Sequence, residues 1–444
     1  MFKKVLIANR GEIALRIHRT CKDMGIKTVA IHSTADEDAM HVKLADESVC
    51  IGPAKLEDSY LNIPSIISAA TIANVDAIHP GVGLLSENFK FAKIVEDHGF
   101  SFIGPSHEHI KMMGNKIVAK NKAVEIGLPT LPGSKDNVFD FKEAKKIAEQ
   151  IGCPILVKAT NGGGGRGIKK VFSLSELKNK FTLAKSEARN SFGDDSVYIE
   201  KFLSNPKHIE IQIIADKAGN VIHIGERDCS IQRRNQKLVE ECPSPILKNK
   251  DREYIYQTCV KAIQKLKYFN AGTIEFLYQD GEFYFIEMNT RLQVEHPITE
   301  LVYGIDIVKE QINIAYGHNL SLKQNQIKVA GHSIECRINA ENSKTFFPST
   351  GKIVTYHVPG GPGIRIDSAL YTGLEITSLY DGLIAKLIIH GNNRTECLMR
   401  LKRALLEFVI EGVDTTIPLY QQIINSKEFL DGTYDINWLE KKIV

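Results

Sequence analysis

Cysteine is sparse and unpaired in this sequence. Its eight cysteines are scattered singly, with no Cys-x-x-Cys spacing, which argues against a zinc ribbon or a disulfide framework and fits a reducing compartment. The expected location is therefore the cytoplasm. Long apolar runs are missing too. None approaches the roughly 20 residues of a membrane-spanning helix, and the N-terminal run 5–8 is too short for a signal-peptide core. Excess charge of one sign is absent: 56 Lys and Arg stand against 53 Asp and Glu. With no basic tract, no nucleic-acid partner is expected. There is no internal repeat, and low complexity is confined to one glycine run. What remains is ordinary globular composition, 43% hydrophobic and 25% charged over 444 residues, enough chain for two or three cores.

The stretch 273–300, TIEFLYQDGEFYFIEMNTRLQVEHPITE, carries the densest chemistry. Residues 273–278 and 282–289 are rich in β-branched and aromatic side chains, and Asp280-Gly281 marks a turn between two strands. Glu275 and Glu287 interrupt these apolar strands. A buried carboxylate is costly unless a cation neutralises it. Both are odd-numbered, so they share a face only if the connecting loop has an odd number of residues. A two-residue turn separates them. The expected loop therefore has three residues, with Gly281 in a left-handed conformation. Asn289, two residues on, joins the same face. Two carboxylates and an amide oxygen form an all-oxygen set suited to magnesium with substrate phosphates. Arg291 and Glu295 come directly after, with the look of an anion clamp and a base.

This segment resembles the metal-and-catalysis segment of the biotin carboxylases of the ATP-grasp superfamily. The resemblance runs from IANRGEIALRI near the N-terminus to the closing helices. It implies an enzyme that uses ATP and bicarbonate to carboxylate biotin on a carrier, as the first half-reaction of acetyl-CoA carboxylase or a related carboxylase. Rival readings are another ATP-grasp carboxylate–amine ligase and a non-catalytic nucleotide-binding subunit.

The order of the chain suits that architecture. Residues 1–115 alternate short strands (4–8, 28–31, 48–51, 77–79, 100–103) with helices, the pattern of a doubly wound parallel α/β sheet. The loop 79–88, HPGVGLLSEN, leaves a strand at its C-terminal end, where such sheets bind ligands; Ser86 is a candidate cap for the next helix. By resemblance, Val82 and Gly83 line the biotin pocket. The family usually has an aromatic residue where this chain has Val82, and often another where it has Leu84.

Residues 116–203 are expected to form a small lid lobe. A helix over 111–126 leads into it. Strand 154–160, the run Asn161-Gly-Gly-Gly-Gly-Arg-Gly167 and strand 168–172 form its centre. With no Gly-Lys-Ser/Thr and no helix behind it, this is not a P-loop. It suits a flap whose bare N–H groups close over phosphates, with Lys158 and Arg166 adding charge. A lid has a purpose if a reactive acyl phosphate must be kept from water.

Residues 204–444 are expected to be the larger C-terminal part, with antiparallel sheet. In 208–214 alternation puts His208, Glu210 and Gln212 on one face, and 221–224 should pair with that strand. The segment 226–237 looks too polar for a core. Cys229 within it is a lone thiol. Helices are expected over 298–316 and 394–410. Strand 332–339 has Ser333, Glu335, Arg337 and Asn339 on its polar face.

The resemblance assigns further roles. Lys116, Lys158, Gly164, Gly165, Glu200, Lys201, Phe202, Leu203, His208, Asn235, Glu275 and Glu287 would bind ATP. The family usually has histidine at position 235. Glu275, Glu287 and Asn289 would hold two Mg²⁺ or Mn²⁺ ions. Gln236, Lys237, Arg291 and the backbone at Val294 would hold bicarbonate. Lys237, Arg291, Glu295 and Arg337 would be catalytic, with Arg337 also facing biotin, and Asp381 would lie near the site. No Met-Lys-Met biotin-attachment motif occurs, so biotin is expected on a separate carboxyl carrier protein. Carboxyltransferase subunits are the other expected partners, and a homodimer is the expected state.

Overall fold

A computed structural model describes residues 1–160 and 167–442. Gly164, Gly165 and Arg166, expected on the flap, lie outside them. Three sheets organise the chain. The first is parallel and five-stranded, in the order Glu47–Gly52, Lys27–Ser33, Lys4–Ile7, Ala77–His79, Ser101–Phe102. The strand order reverses between Lys4–Ile7 and Ala77–His79. The crevice beyond their C-terminal ends is where open α/β sheets take ligands. Helices Gly11–Asp23, Ile63–Ile72 and Phe89–Asp97 cover the faces. Asn88, not Ser86, caps the last of these, accepting from Lys90 N and Phe91 N.

The second sheet is small: Ile168–Val171, Ile155–Ala159 and Val197–Lys201, all antiparallel. Helices Phe141–Ile151 and Leu174–Phe192 pack on it through Ala144, Ala148, Leu177 and Phe181. The third sheet has eight antiparallel strands. Its order is Glu282–Asn289, Asn270–Gln279, Lys207–Ala215, Val221–Arg233, Gln236–Cys242, His332–Asn339, Leu383–Gly391, Ile364–Ser368.

Three expected helices break or shorten. The helix expected over 111–126 is two, His107–Gly114 and Lys116–Ile126. Asn115 between them is extended and caps the second by accepting from Val118 N. The helix expected over 298–316 is also two, His296–Tyr303 and Ile307–Tyr316. Gly304 ends the first at φ +66° and Asp306 caps the second. Apolar residues recur on both sides of each break, so composition alone hides them. Helix Arg394–Glu407 stops early because Val409–Glu411 pairs with Thr355–His357.

The segment 226–237 is the largest departure. Its polarity does not keep it at the surface: Glu226, Arg227, Asp228 and Ser230 are at most 1% exposed in the strand Val221–Arg233. Each charge there has a partner on a neighbouring element, which is what makes such burial tolerable. All eight cysteines are free. No helix among the described residues is long and apolar enough to cross a membrane.

Candidate active site

The hairpin Asn270–Gln279/Glu282–Asn289 brings Glu275 and Glu287 directly opposite each other. The expected three-residue loop is not how this happens. Gln279 pairs with Glu282 across a two-residue turn, with Asp280 at φ 55° and Gly281 at φ 86°, the signs a type I′ turn requires. Phe276 pairs with Phe285, but Glu275 pairs with Glu287. Ile286 is the extra residue of a β-bulge, which shifts the register by one and turns the rest of the strand to the other face. The shared face was read correctly from the sequence. Its cause was not, because a bulge leaves no turn signal.

Lys237 sits under this hairpin. Its Nζ donates to Glu210 Oε2 at 2.6 Å, Glu295 Oε1 at 2.7 Å and Glu275 Oε1 at 2.9 Å. Burial disfavours its charge, but these carboxylates outweigh that and hold it well above the ordinary lysine range. Burial likewise opposes the Glu275 charge, yet Lys237 and His208 keep it well below the ordinary carboxylate range; His208 Nε2 lies 2.9 Å from Glu275 Oε2. Glu295 is depressed in the same way by Lys237, Arg337 and Arg227 against its burial. Glu287 is the contrast. It makes no hydrogen bond or ion pair among the described residues, and burial, then the Glu275 charge, push it up. Asn289 Nδ2 donates to Glu275 Oε1 at 2.7 Å, and its Oδ1 accepts from Arg291. His208, Glu210 and Glu275 also cluster tightly enough for a cation, but the Lys237 ammonium already bridges the two carboxylates.

Arg291 is fixed by Glu87, whose Oε2 accepts from Nε at 2.8 Å, and by Asn289 Oδ1 at 2.8 Å from Nη2. Arg337 donates from Nε to Glu240 at 2.6 Å and from Nη2 to Glu295 Oε2 at 2.9 Å. Beneath the site, the fully buried Arg227 binds Glu210, Gln212, Thr273, Gln293 and Thr299, locking four segments together. Gln293 donates to Glu275 at 2.8 Å. The Val294 carbonyl accepts from Lys386 at 2.9 Å.

The upper part of this network lines one cavity of about 1450 Å³. Around it stand Val82, Gly83, Lys116, Lys158, Glu200, Phe202, Leu203, His208, Asn235, Gln236, Lys237, Glu275, Glu287, Asn289, Arg291, Val294, Glu295, Arg337 and Asp381. Lys201 does not: its Nζ donates to the carbonyls of Gly152 and Cys153. Lys158 pairs with Glu200; burial opposes the lysine's charge, and Glu200 more than restores it. Arg234 (φ 48°) and Asn235 (φ 64°) form the tight turn between Arg233 and Gln236 at the rim; asparagine tolerates that left-handed backbone. Across the cavity, Asn9 Nδ2 donates to the carbonyls of Pro80 (2.7 Å) and Val82 (2.8 Å), pinning the 80–84 loop at the strand-order reversal. Burial pushes the Cys229 thiol well up, so it is packing, not a nucleophile.

Sequence reasoning missed Glu87, Glu240, Gln293, Arg227 and Lys386. Gln293, Glu87 and Arg227 lie within stretches it singled out, without a role given to them; Glu240 and Lys386 come from the strands Gln236–Cys242 and Leu383–Gly391.

Three family descriptions match: biotin carboxylase N-terminal domain over residues 1–110, carbamoyl-phosphate synthase L chain ATP-binding domain over 115–323, and biotin carboxylase C-terminal domain over 335–441. The biotin carboxylase of Pseudomonas aeruginosa is 51% identical over 444 residues, 100% of this chain and 99% of that one. The chain belongs to the biotin carboxylase family. Among solved structures, a biotin carboxylase complex with β,γ-ATP from Campylobacter jejuni superposes with a TM-score of 0.95, at 48% identity and 99% coverage of both chains. The biotin carboxylase domain dimer of Hydrogenobacter thermophilus 2-oxoglutarate carboxylase, solved with MgADP, ADP and bicarbonate, gives 0.93 at 50% identity, covering 99% of this chain and 98% of that one. The likeness to other biotin carboxylases thus spans all three sheets, including the ATP-grasp half.

Proposed function

We propose that this chain activates bicarbonate with ATP and transfers the carboxyl group to biotin carried on a separate protein. The observation that carries the reading is one cavity wall with Lys237, Arg291, Glu295 and Arg337, facing a region with Lys116, Lys158 and the opposed pair Glu275/Glu287.

Glu287 is the test of fit for a divalent cation. A half-buried carboxylate facing a second carboxylate, with no ion pair among the described residues, gains from such an ion. Glu275, Glu287 and Asn289 would hold Mg²⁺ or Mn²⁺ together with the nucleotide, and the ion would neutralise charge at the terminal phosphates. Lys116 and Lys158 hold phosphate oxygens from the other side. Arg291, oriented by Glu87, and Lys237 grip bicarbonate with Gln236 and the Val294 backbone at hand.

Glu295 accepts the bicarbonate proton. Its low pKa makes it a weak base while Lys237 and Arg337 are both bound to it. Each contact those cations give to the incoming anion raises its basicity, so the base is switched on by the substrate. The bicarbonate oxygen attacks the γ-phosphorus of ATP and ADP leaves; the carboxyphosphate yields CO₂ and phosphate, phosphate takes the biotin N–H proton, and the resulting anion, stabilised by Arg337, attacks CO₂ to form the N–C bond. Val82 and Gly83 offer the opposite wall to the biotin ring.

The biotin carboxyl carrier and carboxyltransferase are further subunits in this reading, in a cytoplasmic homodimeric enzyme of the acetyl-CoA carboxylase type. ATP hydrolysis by the purified chain should require bicarbonate and rise with free biotin. Arg291→Ala should abolish turnover while ATP still binds; parallel loss of ATP binding would make Arg291 structural. Hydrolysis that needs an amine acceptor instead of biotin would select another ATP-grasp ligase, and no hydrolysis at all would select a nucleotide-binding subunit.

A further inference from the structure

Two buried carboxylates lie behind Arg337 with no part in the reaction proposed for this site. Glu240 and Glu335 are direct cross-strand partners in Gln236–Cys242 and His332–Asn339, so their side chains leave one face with Cβ atoms about 5 Å apart. Both are 0% exposed. One Glu240 oxygen accepts from Arg337 Nε. The other Glu240 oxygen and both Glu335 oxygens have no hydrogen-bond partner among the described residues.

The cations nearby are occupied. Arg337 is shared with Glu295, and Lys237 holds Glu210, Glu275 and Glu295. Lys386, on the adjoining strand Leu383–Gly391, donates to the Val294 carbonyl and lies 3.2 Å from Glu12 and 3.9 Å from Asp367. Arg365 is paired with Asp367 and Glu300. If Glu240, Glu295 and Glu335 were all ionised, Arg337 would stand among three negative charges.

We propose that Glu240 and Glu335 share one proton at neutral pH, and that this dyad keeps the Arg337 guanidinium positive toward the anion formed on biotin. The O–H of one carboxyl donates to an oxygen of the other, which satisfies two of the three orphaned atoms. Facing carboxyls that cannot both ionise are the physical precedent. Burial pushes Glu240 up to about 7 against the pull of Arg337. It pushes Glu335 well up against Lys386, with Glu240 adding to the rise. Glu240 and Glu335 are positioning residues, acting through Arg337; the part of the claim that concerns biotin rests on the proposed carboxylation of biotin.

Infrared spectra of protein carrying ¹³C-carboxyl glutamate read the proton directly. At pH 7 a buried protonated-carboxyl band is expected, and Glu335→Gln should remove it. In steady-state kinetics, loss of the dyad proton should lower kcat/KM for biotin about tenfold per pH unit on the alkaline side. Glu335→Gln limits the pair to at most one negative charge and should shift that limb by at least about one unit. KM for ATP, which Arg337 does not touch, should not track the limb. A wild-type protein with no such band overturns the dyad even if Glu335→Gln does not fold, and so does a limb unmoved by the substitution. A band present in a protein with no biotin-dependent turnover supports the dyad and defeats the functional reading instead.

Discussion

Replacing Lys237 with methionine keeps most of the apolar stem and removes the ammonium that three carboxylates share. The cost is set by what remains. Glu210 keeps Arg227, Glu275 keeps His208 at 2.9 Å, and Glu295 keeps Arg337 at 2.9 Å. No carboxylate is left without a cation, so the loss should lie near the ~3–5 kcal/mol of one broken buried pair and not at three times that figure. The sharper consequence is in the pH dependence. In the wild type, Glu275 and Glu295 are held well below the ordinary carboxylate range. Between that depressed folded value and the unfolded value near ~4.3, the unfolded chain binds more protons. Their stabilisation is therefore present above that unfolded value and is lost as pH falls through the window below it. Lys237 is the largest influence holding both carboxylates down; burial, the opposing influence, stays when the lysine goes. The remaining cations then hold these carboxylates down less, so the gain in stability as pH rises through the window below ~4.3 should shrink. Denaturant unfolding at a series of pH values reads both effects, and bicarbonate-dependent ATP hydrolysis should drop by at least about 10²-fold. A variant that loses under about 1 kcal/mol and keeps the wild-type slope would refute the argument that this ammonium sets the charge state of the site.

Glu287→Gln removes a carboxylate whose charge is opposed by burial and by Glu275; it should leave stability at pH 7 unchanged or raised by up to about 1 kcal/mol, while the half-saturating Mg²⁺ concentration rises steeply. An unchanged metal dependence would remove Glu287 from the ligand set. Val82→Tyr restores an aromatic face to the loop that Asn9 pins and should lower the apparent KM for free biotin up to about tenfold; no change would show that the loop does not contact the ring. Exchanging Ile286 and Glu287 puts the carboxylate at the bulge position, out of register with Glu275. Calorimetric titration should show ATP binding lost while circular dichroism reports an intact sheet, and retained binding would mean the facing pair is not needed.

The parts of the fold that depend on local periodicity were legible. The parallel sheet could be read from short apolar strands alternating with helices, and Ala77–His79 and His332–Asn339 fall where alternation puts them. The shared face of His208, Glu210 and Gln212 was legible for the same reason. Helix breaks at Asn115 and Gly304 were not, because apolar residues run on across both of them. The facing of Glu275 and Glu287 could be argued from chemistry, since two strand carboxylates ask for one cation, but the bulge that achieves it could not. A turn constrains register only at its own end of a hairpin, and a single inserted residue resets it.

The buried charge is the deeper reason why much of the site was hidden. Polarity in 226–237 pointed to the surface because, for one segment considered alone, desolvating Glu226, Arg227 and Asp228 costs more than any local contact returns. The compensation comes from elsewhere: Arg252 and Tyr256 for Glu226, Ser230 and Ser244 for Asp228, and the five-residue cradle around Arg227. None of these is a sequence neighbour in the helical or strand sense, except Ser230. A network like this is stable only when complete, since removing one member strands a charge in low dielectric. That all-or-none character explains why most of the buried charges sit on facing sheet strands, with Arg291 and Glu295 on the short connection between Glu282–Asn289 and His296–Tyr303. Catalytic side chains such as Lys237 and Glu295 are held by partners that are themselves immobile, so substrate enters a pre-set field and displaces existing ion pairs instead of building new ones.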